Sequence, residues 1–345
     1  MKKNFLFLII VLIASSLVVG CGTGSFDNSK AGKDVNTDDI ELRVGGMSNE
    51  DNPSTIQLKE FAEKVEDKTD GRITMDIYPN NQLGDYTGMF EELTKGTIDL
   101  GLFSIPSEQD DRLEFLKMPY LVTDYDEAED LYTRGAFIFD ETEELLKEQG
   151  VQLLGIRTLG YGGIAMSKEL NNPDDVNKEK GATVRVPDTN IFKLYAKEMG
   201  FQTTSIPWAD LFTALQTGSA DGVIGGQPTA SYLEFRDVID YYYDYRYDFE
   251  AMGLMINEEL WNEFDEEDQE VMQEAADELT QESIEMAEEN DQKYLDKMAE
   301  EDIEIVEFDE KELQDFAEHI RENVWTEMED ELGEGMLKRL QEEVK

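Results

Sequence analysis

One arginine stands apart in a chain where bases are scarce: Arg185, inside the apolar stretch GATVRVPDTN that runs from Gly181 to Asn190. Lys and Arg number 30 against 80 Asp and Glu, a formal net charge of -50. A guanidinium presents parallel N–H donors in a planar fork, the geometry that takes both oxygens of a carboxylate. Two roles fit Arg185 on these grounds: an internal ion pair with one of the many acids, or a clamp for an acidic ligand. Pro187 fixes the end of the stretch and holds the residue before it extended. Trp208, in SIPWADLF, also has two readings, since an aromatic ahead of a helix belongs either to a core or to the wall of a pocket.

Other chemistry is thinly represented. His319, in FAEHIREN, is the sole histidine and reads as a solvated helical residue. The chain has no G-x-S-x-G elbow, no phosphate loop of the G-x-x-x-x-G-K-[ST] type and no H-E-x-x-H pair. The glycine-rich GVIGGQP lacks a following lysine and reads as a turn rather than a phosphate cradle. Acidic runs such as DEEDQE lack the glycine and spacing of a calcium loop, and among 80 acids no one pair is marked as an acid–base dyad. No metal or cofactor is called for, and an enzyme is disfavoured. Nucleic acid is excluded as a partner, because phosphate binding needs clustered bases. Acids spread along the whole chain instead describe a solvated surface suited to high ionic strength, where self-repulsion is screened.

The first residues differ from the rest. Lys2 and Lys3 precede an apolar run, Phe5 to Val19, that is short for a membrane span and ends in small residues, so residues 1–20 read as an export signal. It closes on LVVGCG, and Cys21 is the only cysteine, which excludes an intramolecular disulfide and C-x-x-C sites. The segment resembles a bacterial lipoprotein signal in which Cys21 becomes the lipidated first residue, anchored to the outer face of the cell membrane. Residues 21–38 are small and polar and read as a flexible tether.

Positioning elements follow in alternation. IELRVGG, RITMDIYP and IDLGLF read as strands separated by helices in STIQLKEFAEKVEDKT, with Ser54 as its cap, and in TGMFEELTKG. The pattern restarts with VQLLGIRTLG and GATVRVP as strands, then the helices NIFKLYAKEMG and WADLFTALQTG. Such units build mainly parallel sheets covered by helices, and the ~300 residues after the tether call for two α/β lobes. A long acid-rich helix is expected from Glu266 to about Ala299.

The succession GRITMDIYPNNQLGD, GTIDLG, GATVRVPDTN and WADLFTALQTGSADG resembles the substrate-binding proteins of TRAP transporters, the tripartite ATP-independent systems, over nearly the whole chain from Ile40. The resemblance implies a two-lobe, periplasmic-binding-protein-like α/β fold with hinge strands and a long bracing helix. Lobe I would take 39–160 and 251–290, and lobe II 161–250 and 291–345. It implies capture of a small organic carboxylate, C4-dicarboxylate-like or related, and handover to TRAP permease subunits in the membrane. A sensory module presenting a carboxylate to a receptor has the same cleft and is the alternative. Within the resemblance Arg185 becomes the ligand arginine, Trp208 packs against the bound acid, and Tyr86 and Ser104 line the pocket from the first lobe. Asp221 and Gly222 form a structural turn. Two departures stand out. Gly163, in LGYGGIAMS, replaces a second arginine, and VIGGQP replaces a polar segment, leaving Gln227 as an amide donor.

Overall fold

The computed structural model describes residues 39–333 and 335–344; Cys21, the export segment and the tether lie outside the described residues. Nine strands form one mixed sheet: β1 (Ile40–Gly46), β2 (Ile73–Tyr78), β3 (Leu100–Phe103), β4 (Val151–Met166), β5 (Thr183–Val186), β6 (Gln202–Ser205), β7 (Gly222–Gly226), β8 (Tyr241–Asn257) and β9 (Glu304–Val306). Their order is β2-β1-β3-β8-β4-β7-β5-β6, with β9 beside the start of β8. The trio β1 to β3 is parallel, as is the trio β5 to β7, because helices cross over between successive strands. These trios belong to the two lobes. Between them run β4 and β8, 16 and 17 residues long, antiparallel to each other, with β7 antiparallel to β4 and β3 antiparallel to β8, while β9 runs parallel to the start of β8. The mainly parallel reading therefore holds inside each trio and fails at the junction, where two long strands pass through both lobes.

The first crossover helix, Pro53–Lys68, buries Leu58, Phe61 and Val65 on one face. Its cap is Asn52 rather than Ser54: Asn52 Oδ1 accepts from the Ser54 N–H at 2.9 Å. Pro53 takes the first helical position, where a missing N–H costs nothing, and so puts the cap at Asn52, two residues upstream of Ser54.

Every residue of β4 is buried, yet its ladder with β8 slips at Leu153/Gly155, Thr158/Gly160 and Gly162/Ile164. Each slip frees backbone N–H groups that must find other partners. The bracing helices, Glu266–Glu285 and Ala287–Glu300, supply them. Thr280 Oγ1 accepts from Ile156 N at 3.1 Å, Ser283 Oγ from Thr158 N at 3.0 Å and Asp291 Oδ2 from Tyr161 N at 2.8 Å. One long helix was the expectation; the observed pair bends at Met286, with φ -91 and ψ -7. Thr280 and Ser283 also donate to the carbonyls of Ala276 and Thr280, at 3.0 and 2.8 Å, and such back-bonding bends helices.

Two further expectations are corrected. GVIGGQP is no turn: its first five residues are β7, all buried, pairing with both β4 and β5. Glycine fits there because neighbours crowd in; a Cβ on Gly222 would meet Met166 Sδ at 2.0 Å. His319 does lie on a helix, Glu310–Asn323, but is half-buried with Nε2 2.7 Å from Glu198 Oε1. Asp221 behaves as a structural residue, accepting from Thr183 N and pairing with Lys168, each at 2.8 Å.

Candidate binding cleft

A cavity opens where the two trios meet the through-strands. Tyr86, Ser104 and Lys117 line it from the β1–β3 side, Arg185, Trp208, Gln227 and Glu234 from the β5–β7 side, and Asp248 and Glu250 from β8. Tyr86, Ser104, Arg185, Trp208 and Gln227, scattered over more than 140 positions of sequence, thus face one space.

Arg185, on β5, is 3% exposed. Its Nε donates to Ile206 O at 2.7 Å, and its guanidinium carbon lies 5.6 Å from the centre of the Trp208 ring. It makes no ion pair among the described residues, so the internal salt bridge open to it in sequence is not formed. Gly225, with φ +98, passes beside it: a Cβ there would sit 3.6 Å from Nη1, and the backbone conformation itself favours glycine. Burial pulls the guanidinium down to about 10, opposed in part by Tyr86, Tyr247 and Glu250, so it stays charged at neutral pH.

Trp208 opens a short 3-10 turn, Trp208–Asp210. Its Nε1 donates to Glu234 Oε2 at 2.8 Å and its ring meets Phe235 edge-on at 5.2 Å. The indole N–H is therefore occupied, and the ring orients Arg185. Burial pushes the Glu234 carboxyl up to about 7, with the Trp208 hydrogen bond acting the other way.

On the opposite wall, Tyr86 starts the helix Tyr86–Thr94, capped by Asp85, which accepts from Gly88 N at 2.8 Å. Ser104 follows β3 and points its N–H and hydroxyl at Met47 Sδ, 3.4 and 3.5 Å away. Gln227 is buried beyond β7, and its amide has no hydrogen bond among the described residues. Gly163 does not reach the cavity; a Cβ on it would meet the Tyr242 ring at 2.4 Å. The second cation comes from elsewhere: Lys117, closing the 3-10 segment Asp111–Lys117, with Nζ 3.4 Å from Ser107 Oγ. Burial lowers its pKa, against the pull of Glu108, Glu114 and Glu250.

Sequence reasoning missed Lys117, Glu234, Asp248 and Glu250. Asp248 and Glu250 alternate on β8 and so share a face. Burial raises Asp248 well above the usual carboxylate range, helped by Glu250. It also carries Glu250 up to about 7 although Arg185 and Lys117 pull that group down. The arrangement holds cations, acceptors and apolar walls, and it suits binding of a small acid.

The two-lobe α/β fold with a cleft between the lobes, faced by a buried arginine that has no ion pair among the described residues, is that of a solute-binding protein. Residues 44–331 match the bacterial extracellular solute-binding protein, family 7 (DctP), and the chain belongs to that family, the substrate-binding proteins of TRAP transporters. It is 26% identical over 242 residues to the sialic acid-binding periplasmic protein SiaP of Vibrio cholerae, covering 68% of this chain and 72% of that one. Its fold superposes with TM-score 0.80 on a TRAP periplasmic solute binding protein from Desulfovibrio salexigens with bound orotic acid, at 20% identity over 88% of this chain and 98% of that one. Another, from Haemophilus influenzae with bound L-gulonate, gives TM-score 0.77 and 24% identity over 88% and 99%. No helix among the described residues is long and apolar enough to cross a membrane.

Proposed function

We propose that this chain is a lipid-anchored extracytoplasmic capture protein for a small organic acid bearing one carboxylate, which it hands to a TRAP permease. The observation that carries the reading is Arg185: a buried guanidinium with no ion pair among the described residues, facing the cleft between lobes. A charge so placed is costly unless an anion completes it. Three carboxyl groups share the cavity, Glu234, Asp248 and Glu250, and they oppose a second anionic end on the ligand while offering acceptors to hydroxyl groups. Sialic acid, orotic acid and L-gulonate, the ligands named for the relatives, are each monocarboxylic acids. Tyr86, Ser104 and Gln227 supply the remaining polar contacts. Cys21 carries the lipid, and residues 21–38 give the domain reach from the membrane.

The lobes are assigned as 39–160 with 251–290 and 161–250 with 291–345. Gly160 pairs with Glu250 across the β4–β8 ladder, so both strand crossings fall at one level of the hinge. Thermal denaturation with matched solutes tests the binding reading. L-gulonate, D-glucuronate or orotate should stabilise the protein, by about 2.7 kcal/mol at a hundred times the dissociation constant; succinate should do so less, and neutral D-glucose not at all. Equal stabilisation by glucose and glucuronate, or none by any acid, would overturn it.

A further inference from the structure

Asp248 and Glu250 face the same cavity as Arg185 and Lys117, and the carboxylate clamp makes no use of them. Asp248 is 4% exposed and its Oδ1 has no hydrogen-bond partner among the described residues. Glu250 forms no salt bridge there, yet it feels Arg185 from β5 and Lys117 from the opposite lobe. Those are the cations an incoming carboxylate needs. Ligand and Glu250 therefore compete for the same positive charge inside a space poor in water, where two anions side by side are strongly unfavourable.

We propose that the Asp248–Glu250 pair is a second binding group of the cleft, and that it takes up one proton from solvent as the carboxylate of the ligand enters. The inference rests on the carboxylate reading of the Arg185 site. The proton turns a carboxylate acceptor of β8 into a carboxylic acid, whose O–H then donates to an oxygen of the ligand. The pair titrates jointly, so the proton belongs to both groups. The other ionisable groups facing the cavity are Tyr86, Lys117, Arg185 and Glu234, with Tyr247 beside the pair on β8 and Glu108 and Glu114 acting on Lys117. Of these, burial also brings Glu234 up to about 7, and it is tied to Trp208. The free protein has Glu250 half-ionised near neutrality, at about 7, held there by burial against Arg185 and Lys117.

Proton uptake on binding makes affinity rise as pH falls. The sign follows because the complex binds more protons than the free protein at every pH between the two pKa values. Below about 7 both states are protonated and the dependence flattens.

L-gulonate, D-glucuronate and orotate, titrated calorimetrically into the full chain between pH 6 and 9, provide the test. The dissociation constant should rise by up to about tenfold per pH unit above pH 7. Heats in phosphate and in Tris at pH 7.5 should differ by the buffer ionisation enthalpy of up to one proton. Glu250→Gln should abolish most of both effects and bind more tightly than wild type at pH 8.5, whereas Glu234→Gln should keep the pH slope. Binding that is lost in Arg185→Ala but shows a flat pH profile and no buffer dependence in the wild type would overturn the proton proposal and leave the carboxylate reading standing. Failure of all three acids to bind folded protein would overturn both.

Discussion

The guanidinium of Arg185 lies over the indole of Trp208, its central carbon 5.6 Å from the ring centre. Trp208 is in turn tied through Nε1 to Glu234 at 2.8 Å, and Arg185 Nε to Ile206 O at 2.7 Å. The fork is thus fixed by its Nε and by its face before any ligand arrives, leaving the terminal nitrogens toward the cleft. Side-chain ordering is completed on folding, so less rotamer entropy is lost on binding.

Removing the ring should loosen this arrangement. Trp208→Ala forfeits a cation–π contact of about 0.5–2 kcal/mol, which corresponds to a roughly two- to thirty-fold loss of affinity. Trp208→Phe should fall between, since a ring remains but Glu234 loses its donor. Calorimetric titration with the best acid checks this; an unchanged dissociation constant in Trp208→Ala contradicts the positioning role.

The hinge staple makes a stability prediction. Gly160 has φ +100, and a Cβ on it would lie 2.3 Å from Asp291 Oδ1. Gly160→Ala must therefore strain the backbone and also displace the carboxylate that accepts from Tyr161 N and the Tyr125 hydroxyl, at 2.8 and 2.7 Å. Gly150, with φ +75 and open space around it, is the control. Gly150→Ala should cost about 1–3 kcal/mol from strain alone, and Gly160→Ala about 1–3 kcal/mol more for the unsatisfied buried groups. Equal losses in denaturant melts would show that the helix does not brace the strand through Asp291.

Asp291 gives the pH counterpart. Burial raises its carboxyl to about 7, opposed by the bonds from Tyr125 and Tyr161. The folded state then binds more protons than the unfolded chain between the ordinary carboxyl pKa, ~4, and about 7. The stability Asp291 contributes is full below that window, falls as pH rises through it and is flat above. Asp291→Asn, which cannot ionise, should look least damaging near pH 8 and most damaging near pH 4.5. Denaturant melts at the two pH values check the sign, and the reverse order contradicts it.

How much of this was legible in the sequence depends on distance along the chain. Arg185 stands out because its setting is local, an apolar strand with Pro187 two residues on; that setting leaves an ion pair and a ligand clamp both open, and the family resemblance favours the clamp. Tyr86 and Ser104 come from the family resemblance and not from their local setting. Lys117, Glu234, Asp248 and Glu250 are not legible in that way, because acids at 80 positions hide the three that line the cavity. The signal present is contrast with neighbours. Lys117 sits between Leu116 and Met118, and Glu250 in DFEAMGLMI, where a solvated charge has no business. Gly222 of β7 misled for a related reason, since what demands it is crowding by Met166, remote in sequence.

The proposed membrane anchor rests on Cys21. Cys21→Ser should leave the protein soluble or unprocessed, because a polar tether without acyl chains has no membrane affinity of its own. Fractionation of cells without detergent checks this; processed mutant retained in membranes at wild-type levels contradicts it.

The most direct test of the carboxylate clamp measures two quantities on Arg185→Ala and Arg185→Lys: ligand affinity by calorimetry and ligand-free stability by denaturant melts. Leaving a buried ligand carboxylate unpaired costs about 3–5 kcal/mol, roughly a hundred- to several-thousand-fold in affinity. Arg185→Lys keeps the charge without the fork and should fall between alanine and wild type. Ligand-free stability should hold or rise, since in the free protein Arg185 is a buried cation with no ion pair among the described residues. Arg185→Ala binding the acid as tightly as wild type while losing stability without ligand would contradict the clamp.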